Sequence, residues 1–409
     1  MMSVTRRGFI GRASAAATML PSMAALAQGK GKYDDGASDT EIKIGNTNPY
    51  SGPASSYSVI GKANDAYWKM VNDQGGINGR KIRFISLDDG YSPPKTVEIA
   101  RQLVEQEKVL CLFAPLGTPT IAAIHKYMNR KKVPMLFVAS GASKWGNPKE
   151  FPWTMGWQPS IHVEGAIFAK HVLATVKNPK IAVLMQNDDY GKDYYEGFRE
   201  GLGKDVDKIA RHATYEVTDP TVDSQIIQLK DSGANVFFNI ATPKFAAQAI
   251  RKAADINWKP VHYLNGSSSS VAAVMKPAGF DNGQGIISAA YVKDPTDRQW
   301  AGADDMKAWL GWMAKYNPGA NVADSLNVLG YAMAYTMHKT LEQCGDDLTR
   351  ANVMKQAANL KKLAVPMLLP GITIDTSPTD FYPIQSEWLQ RFKGETWELF
   401  GDVISNESA

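Results

Sequence analysis

The chain has 409 residues, 44% of them hydrophobic and 21% charged, with 45 Lys and Arg against 41 Asp and Glu. That balance excludes a disordered or fibrous chain and a small disulfide-stapled scaffold, and the length accommodates two domains with full cores. Setting aside Arg6, Arg7 and Arg12 lowers the formal charge from +4 to +1, 42 basic residues against 41 acidic, which calls for neither nucleic acid nor an anionic membrane surface.

Those three arginines sit in an export-like segment. Thr5-Arg6-Arg7-Gly8-Phe9-Ile10 is a twin-arginine pattern, an apolar small-residue stretch runs from Ala13 to Leu26, and Ala25-Leu26-Ala27 makes a small-x-small cleavage site before Gln28. Residues 1–27 are expected to be a twin-arginine signal peptide and 28–40 a flexible leader, with the mature protein soluble in the periplasm. A basic tail leaves unexplained why no acid occurs before Asp34. A membrane anchor would want a longer stretch, less rich in Ala and Ser.

Short apolar runs bounded by Gly, Pro, Asn or Asp then recur at Glu41–Gly45, Lys81–Leu87, Val109–Ala114, Val133–Val138, Lys180–Gln186, Val236–Ala241, Val261–Leu264 and Ile286–Ala290. Helical spacing fills most of the intervals; Ala63, Ala66, Tyr67, Met70 and Val71 share one face. This alternation predicts α/β domains with parallel-rich sheets. The last third reads as two long helices, Gln299–Tyr316 and Asp324–Gln343, then β-like segments at Gly371–Asp375, Pro383–Phe392 and Thr396–Val403. Cys111, in an apolar run, and Cys344, at a helix end, are expected to be unpaired thiols.

Ligands of open α/β sheets gather at the carboxyl ends of the strands. After Val109–Ala114 come Leu116, Gly117, Thr118 and Pro119, where Thr118 suits an N-cap and Pro119 the first helical position. Free N–H groups of Thr120 and Ile121 would then favour an anion. After Val133–Val138 comes Ser140-Gly141-Ala142, small residues with a hydroxyl, and after Lys180–Gln186 comes Asn187-Asp188-Asp189-Tyr190-Gly191. Each signal alone also fits an ordinary cap or turn. Trp145, Trp153 and Trp157 fit either a cleft lining or a lobe core.

An enzyme finds little support. The sequence holds no HExxH, GxSxG, Walker A or GxGxxG after a strand, and its six histidines lack ligand spacing. Neither cofactor nor metal is expected, and Asp88-Asp89 and Asp188-Asp189 read as solvated loop acids.

Four pieces carry a family resemblance: Ser51-Gly52-Pro53, the turn Asn72-Asp73-Gln74-Gly75-Gly76-Ile77-Asn78-Gly79, Leu87-Asp88-Asp89, and Asn187 to Gly191. Over residues 41–403 the chain resembles type I periplasmic solute-binding proteins of ABC importers, in the leucine/isoleucine/valine-binding branch. The resemblance implies two Rossmann-like lobes joined by a three-stranded hinge, with crossings near Met155–Pro159, Ala290–Lys293 and Leu369–Thr373. The N-terminal lobe would comprise 41–157 plus 292–370, and the C-terminal lobe 158–291 plus 371–409. It also implies a non-enzymatic protein that closes on one small molecule and delivers it to an inner-membrane permease; a monomer is the default expectation.

Carried over by position, the resemblance makes Tyr57 a pocket tyrosine, Gly117 and Thr118 carboxylate donors beside Leu116, and Ser140, Gly141 and Ala142 the neighbouring loop. Tyr190 becomes the covering aromatic, and Thr242 and Ser267 complete the second-lobe wall. Two departures stand out. Ser267 takes the place of the glutamate that holds an amino acid's ammonium, and Ala142 that of an anchoring threonine. An unpartnered buried ammonium costs several kcal/mol, order of magnitude. The expected ligand is therefore a carboxylate without an α-amino group, an aromatic acid or another non-amino-acid acid, although Asp188 and Asp189 are potential substitutes for the missing glutamate. A ligand-sensing module for a receptor, a binder of branched-chain amino acids or amides, and a hydrolase on the same fold are the competing readings.

Overall fold

A computed structural model of the protein describes residues 31–405; the expected signal peptide at 1–27 lies outside the described residues. After β1 (Lys32–Tyr33) the chain alternates: β2 (Glu41–Asn48), α1 (Ser58–Asp73), β3 (Lys81–Asp88), α2 (Pro93–Arg101), β4 (Cys111–Phe113), α3 (Thr118–Lys131), β5 (Met135–Val138) and β6 (Thr154–Gly156). A second alternation follows: α4 (Ile161–Thr175), β7 (Ile181–Gln186), α5 (Asp189–Leu202), β8 (Ile209–Tyr215), α6 (Asp223–Asp231), β9 (Val236–Ile240), α7 (Pro243–Asp255), β10 (Val261–Leu264), the single turn α8 (Lys276–Ala278) and β11 (Ile287–Ala290). The remainder supplies α9 (Asp304–Tyr316), α10 (Leu326–Cys344), β12 (Asp347–Leu348), α11 (Arg350–Ala357), β13 (Ser386–Lys393) and β14 (Thr396–Ser405).

Two sheets organise two lobes. The first lobe holds five parallel strands in the order β3-β2-β4-β5-β6. The second holds seven, ordered β14-β13-β11-β10-β9-β7-β8, parallel except for the two pairings of β13, with β11 and with β14. Strands β4, β5, β7 and β9 are buried along their whole length, which is why they read as unbroken apolar runs. In each sheet the first strand lies between its second and third: β2 between β3 and β4, β7 between β8 and β9. The winding reverses there, and a crevice opens at the carboxyl ends of those strands.

The long C-terminal helices belong to the first lobe. Trp309 of α9 and Val328, Met333 and Met337 of α10 are buried in one core with Ile42, Ile60 and Phe113. Between the lobes, segments 291–293 and 367–369 run side by side: the Leu369 N–H donates to the Tyr291 carbonyl at 2.9 Å and the Lys293 N–H to that of Met367 at 2.8 Å.

Several expectations are corrected. The described part of the leader, 31–40, is held rather than loose: β1 pairs in parallel with β12, and Arg80 bonds both Tyr33 and Asp346. Residues 371–384, expected in the C-terminal lobe, pack into the first-lobe core through Ile372, Ile374, Phe381 and Ile384; only β13 and β14 join the second sheet. Gly371–Asp375 forms a single bridge, Leu363 to Ile374, instead of a strand; Gly371, with φ at +84°, and Pro370 before it break an extended course. Cys111 and Cys344 are buried free thiols, and burial pushes both up to about 12.

Candidate ligand-binding site

A cavity of about 80 Å³, counted for the centres of water-sized spheres, lies between the lobes at the carboxyl ends of both sheets. Nine of the ten residues expected there line it: Tyr57, Leu116, Gly117, Thr118, Ser140, Gly141, Tyr190, Thr242 and Ser267. Ala142 does not; it is buried behind Ser140, its N–H 3.4 Å from that hydroxyl.

The first-lobe wall is built on the start of α3. Gly117, with φ at +101°, is the N-cap, so Thr118 is the first helical residue and not the cap the sequence suggested. The shift changes which donors are open. The Ile121 N–H is spent on the Gly117 carbonyl at 3.0 Å, whereas those of Thr118 and Thr120 take no acceptor among the described residues. A side chain at Gly117 would strike the ring of Tyr91, which also lines the cavity. With its own helix uncapped by it, the Thr118 hydroxyl meets that of Ser140 at 2.8 Å. The indole N–H of Trp145 donates to the same Ser140 oxygen at 2.8 Å, which orients it. Trp145 and Trp157 themselves are buried core residues outside the lining.

The second-lobe wall starts from α5. Asp188 caps that helix, accepting from the N–H groups of Tyr190 and Gly191, and so fixes where Tyr190 projects. The Tyr190 hydroxyl accepts from Asn265 Nδ2 at 2.7 Å and stands 3.2 Å from the Ser267 hydroxyl. Thr242, at the start of α7, gives its N–H to the Tyr215 hydroxyl at 3.0 Å. Across the cleft, the Tyr57 hydroxyl donates to the Ser267 carbonyl at 3.3 Å. Burial pushes Tyr57 up to about 12 and Tyr190 well above the usual phenol range, so both remain neutral donors or acceptors.

Four features escaped the sequence reading. Tyr91 and Tyr291 add two more aromatic rings, and Leu326 and Leu329 of α10 add an apolar face. The fourth is Asp294, a carboxylate in a cavity expected to lack one. Asp294 and Tyr291 come from the crossing segment after β11, where the lobes meet. The expected crossing at Ala290–Lys293 was the available signal.

Comparison with known proteins turns on coverage. The family model described as periplasmic binding protein matches residues 41–396. The chain belongs to that family. Periplasmic binding proteins are extracytoplasmic solute-binding proteins of ABC transporters, and this chain carries their fold. Leu/Ile/Val-binding protein homolog 1 of Brucella suis biovar 1 (strain 1330) is 25% identical over 248 residues, 59% of this chain and 66% of that protein, so the match spans just under two thirds of the relative. Among solved structures, a branched chain amino acid ABC transporter from Thermus thermophilus with bound valine superposes with a TM-score of 0.80 at 14% identity, over 90% of this chain and 97% of that one. A solute-binding protein of an ABC transporter from R. palustris in complex with benzoate gives 0.74 at 20% identity, over 90% and 98%. No helix among the described residues of this periplasmic binding protein is long and apolar enough to cross a membrane.

Proposed function

We propose that this periplasmic binding protein captures a small carboxylate, an aromatic acid by preference, and passes it unaltered to an inner-membrane permease. The observation that carries the reading is the pairing, in one cavity, of the Thr118 and Ser140 hydroxyls and the open N–H groups of α3 with four tyrosine rings. Hydroxyls and a helix N-terminus suit a carboxylate, and aromatic faces suit a ring. The cavity holds several waters' worth of space. That fits a single-ring acid better than an extended acyl chain.

Binding works by differential affinity. A ligand that touches Thr118 on one lobe and Tyr190 on the other stabilises the shut form, and the permease reads that shape. The protein acts as a monomer, exported through the twin-arginine pattern at its N-terminus. It performs no chemistry: Ser140 is bonded to Thr118 and Trp145, with no histidine as a base among its hydrogen-bond partners.

A thermal-shift panel tests the reading with benzoate-like acids, fatty acids, branched-chain amino acids and amides. A ligand at about 100 times its dissociation constant adds about 2.7 kcal/mol of stability. Benzoate-like acids are expected to raise the melting temperature most, and Thr118→Val to weaken them by about tenfold. A shift by leucine or valine alone overturns the assignment.

A further inference from the structure

We propose that Asp294 is the specificity-determining residue of the cavity and selects acids that carry a hydroxyl group remote from their carboxylate; the inference rests on the small-acid reading above. Asp294 lies on the crossing segment, two residues after Val292, which bridges to Leu368. Its Oδ1 accepts both the N–H and the hydroxyl of Thr296, at 2.8 and 2.6 Å, so the carboxylate is oriented from one side only. Its Oδ2 takes no donor among the described residues, although the residue lines the cavity.

Among the described residues no cation pairs with this charge. The neighbouring Lys293 is turned to Asp305, 2.7 Å from its Oδ1. The charged groups that face Asp294 are Asp297 and Asp324, both acids, and both are engaged elsewhere: Asp297 caps Gln299, and Asp324 accepts from Ser270 and from the Leu326 N–H. Burial is the main cause that pushes Asp294 up to about 6, with the two neighbouring acids adding to it. Asp294 is half-buried, and a ligand donor that displaces water from its open oxygen gives that oxygen a partner inside the cavity.

One open oxygen matches one hydroxyl. The nearby hydroxyls of Ser269 and Ser270 spend their protons on the Gly266 carbonyl and on Asp324, so neither donates to Asp294. Leu326 and Leu329 supply the rest of that corner. Asp294 comes from the crossing segment after β11 and the Thr118–Ser140 pair from the start of α3 and the loop after β5, so the two groups are assigned to different parts of the ligand.

Titration calorimetry with benzoate, 3-hydroxybenzoate and 4-hydroxybenzoate, on the wild-type protein and Asp294→Asn, tests this. The substitution keeps Oδ1 for Thr296 and turns Oδ2 into an N–H donor. Wild type is expected to bind one hydroxy acid about tenfold or more tighter than benzoate. In Asp294→Asn that preference is expected to fall within about threefold. Equal wild-type affinity for all three acids, or a preference that survives the substitution, overturns the inference and leaves the small-acid reading standing. The wild-type comparison holds even if the variant folds poorly. No binding of any of the three, or tighter binding of leucine, overturns both.

Discussion

Asp193 on α5 grips Ser143 twice, accepting its N–H at 2.7 Å and its hydroxyl at 2.8 Å. Ser143 follows β5 in the first lobe and Asp193 belongs to the second, so the pair ties the lobes together beside the cavity. The Lys144–Asp189 ion pair at 2.6 Å lies next to it, and the Ser270 hydroxyl reaches Asp324 at 2.8 Å. Removing one such tie shifts the balance between open and shut forms and taxes binding by the same factor. Asp193→Ala is expected to weaken the best acid ligand about tenfold or more, because two hydrogen bonds to a charged group are lost. Small-angle scattering of the ligand-free variant is expected to show a larger radius of gyration. Wild-type values for both would mean the contact is not a latch.

His162 on α4 stands between two acids, Asp193 Oδ1 at 3.2 Å from Nδ1 and Glu200 Oε2 at 2.9 Å from Nε2. Burial opposes its protonation, but Glu200 and Asp193 outweigh it and raise the pKa. The stabilising contribution is thus complete below the unfolded value of about 6.5 and fades as pH rises through the raised one. The groups are partly exposed, so the effect is less than about 1 kcal/mol. In melts across the pH range, His162→Gln is expected to be less stable than wild type at pH 5.5 and equal to it near pH 9. A deficit that grows with pH contradicts the assignment.

The legible parts of this molecule are those where one segment decides its own fate. Strands β4, β5, β7 and β9 announce themselves because central parallel strands are apolar along nearly their whole length, and the edge strand β3 by the alternation of Lys81, Ile82, Arg83 and Phe84. Strand β8 does not: it is an edge, and Arg211 and His212 of its middle are exposed. Thr118 and Tyr190 were readable because they follow strands, where the topology puts ligands, and Ser267 only through the family resemblance. Leu326 reaches the cavity only through packing between segments distant in sequence, which no local pattern marks, whereas Tyr91 and Asp294 follow β3 and β11 within a few residues but carried no second signal.

Two buried acids behind the second-lobe wall set a pH dependence of opposite origin. Glu164 gives Oε1 to the Gly266 N–H at 2.7 Å and Oε2 to the Tyr194 hydroxyl at 3.0 Å. Neither oxygen of Glu387 on β13 finds a partner among the described residues. Burial first, and the neighbouring Glu164 second, raise the Glu387 pKa. An acid whose pKa is raised in the folded state costs stability as pH climbs above its unfolded value, about 4.3. Glu387→Gln is expected to melt like wild type near pH 4.5 and to exceed it at pH 8 by on the order of 1–3 kcal/mol, the cost of an unpaired buried polar group. A variant no more stable at pH 8 than at pH 4.5, relative to wild type, refutes the role.

Helices α4 and α5 approach closely because glycine sits at their contact. A Cβ on Gly197 would fall on the His162 carbonyl, and one on Gly201 would crowd Ala166. Helix propensity alone favours Gly197→Ala by about 1 kcal/mol. Backbone pushed against backbone has no flexible end that gives way, and overpacking costs about 1–3 kcal/mol, sometimes more. The larger effect decides the sign, so Gly197→Ala is expected to lower the melting temperature. Gly311 on α9 is the matched control: it is exposed, and nothing lies within 4 Å of where its Cβ would stand. Gly311→Ala is expected to raise the melting temperature by propensity alone. If both substitutions stabilise, the α4–α5 contact is looser than its geometry states.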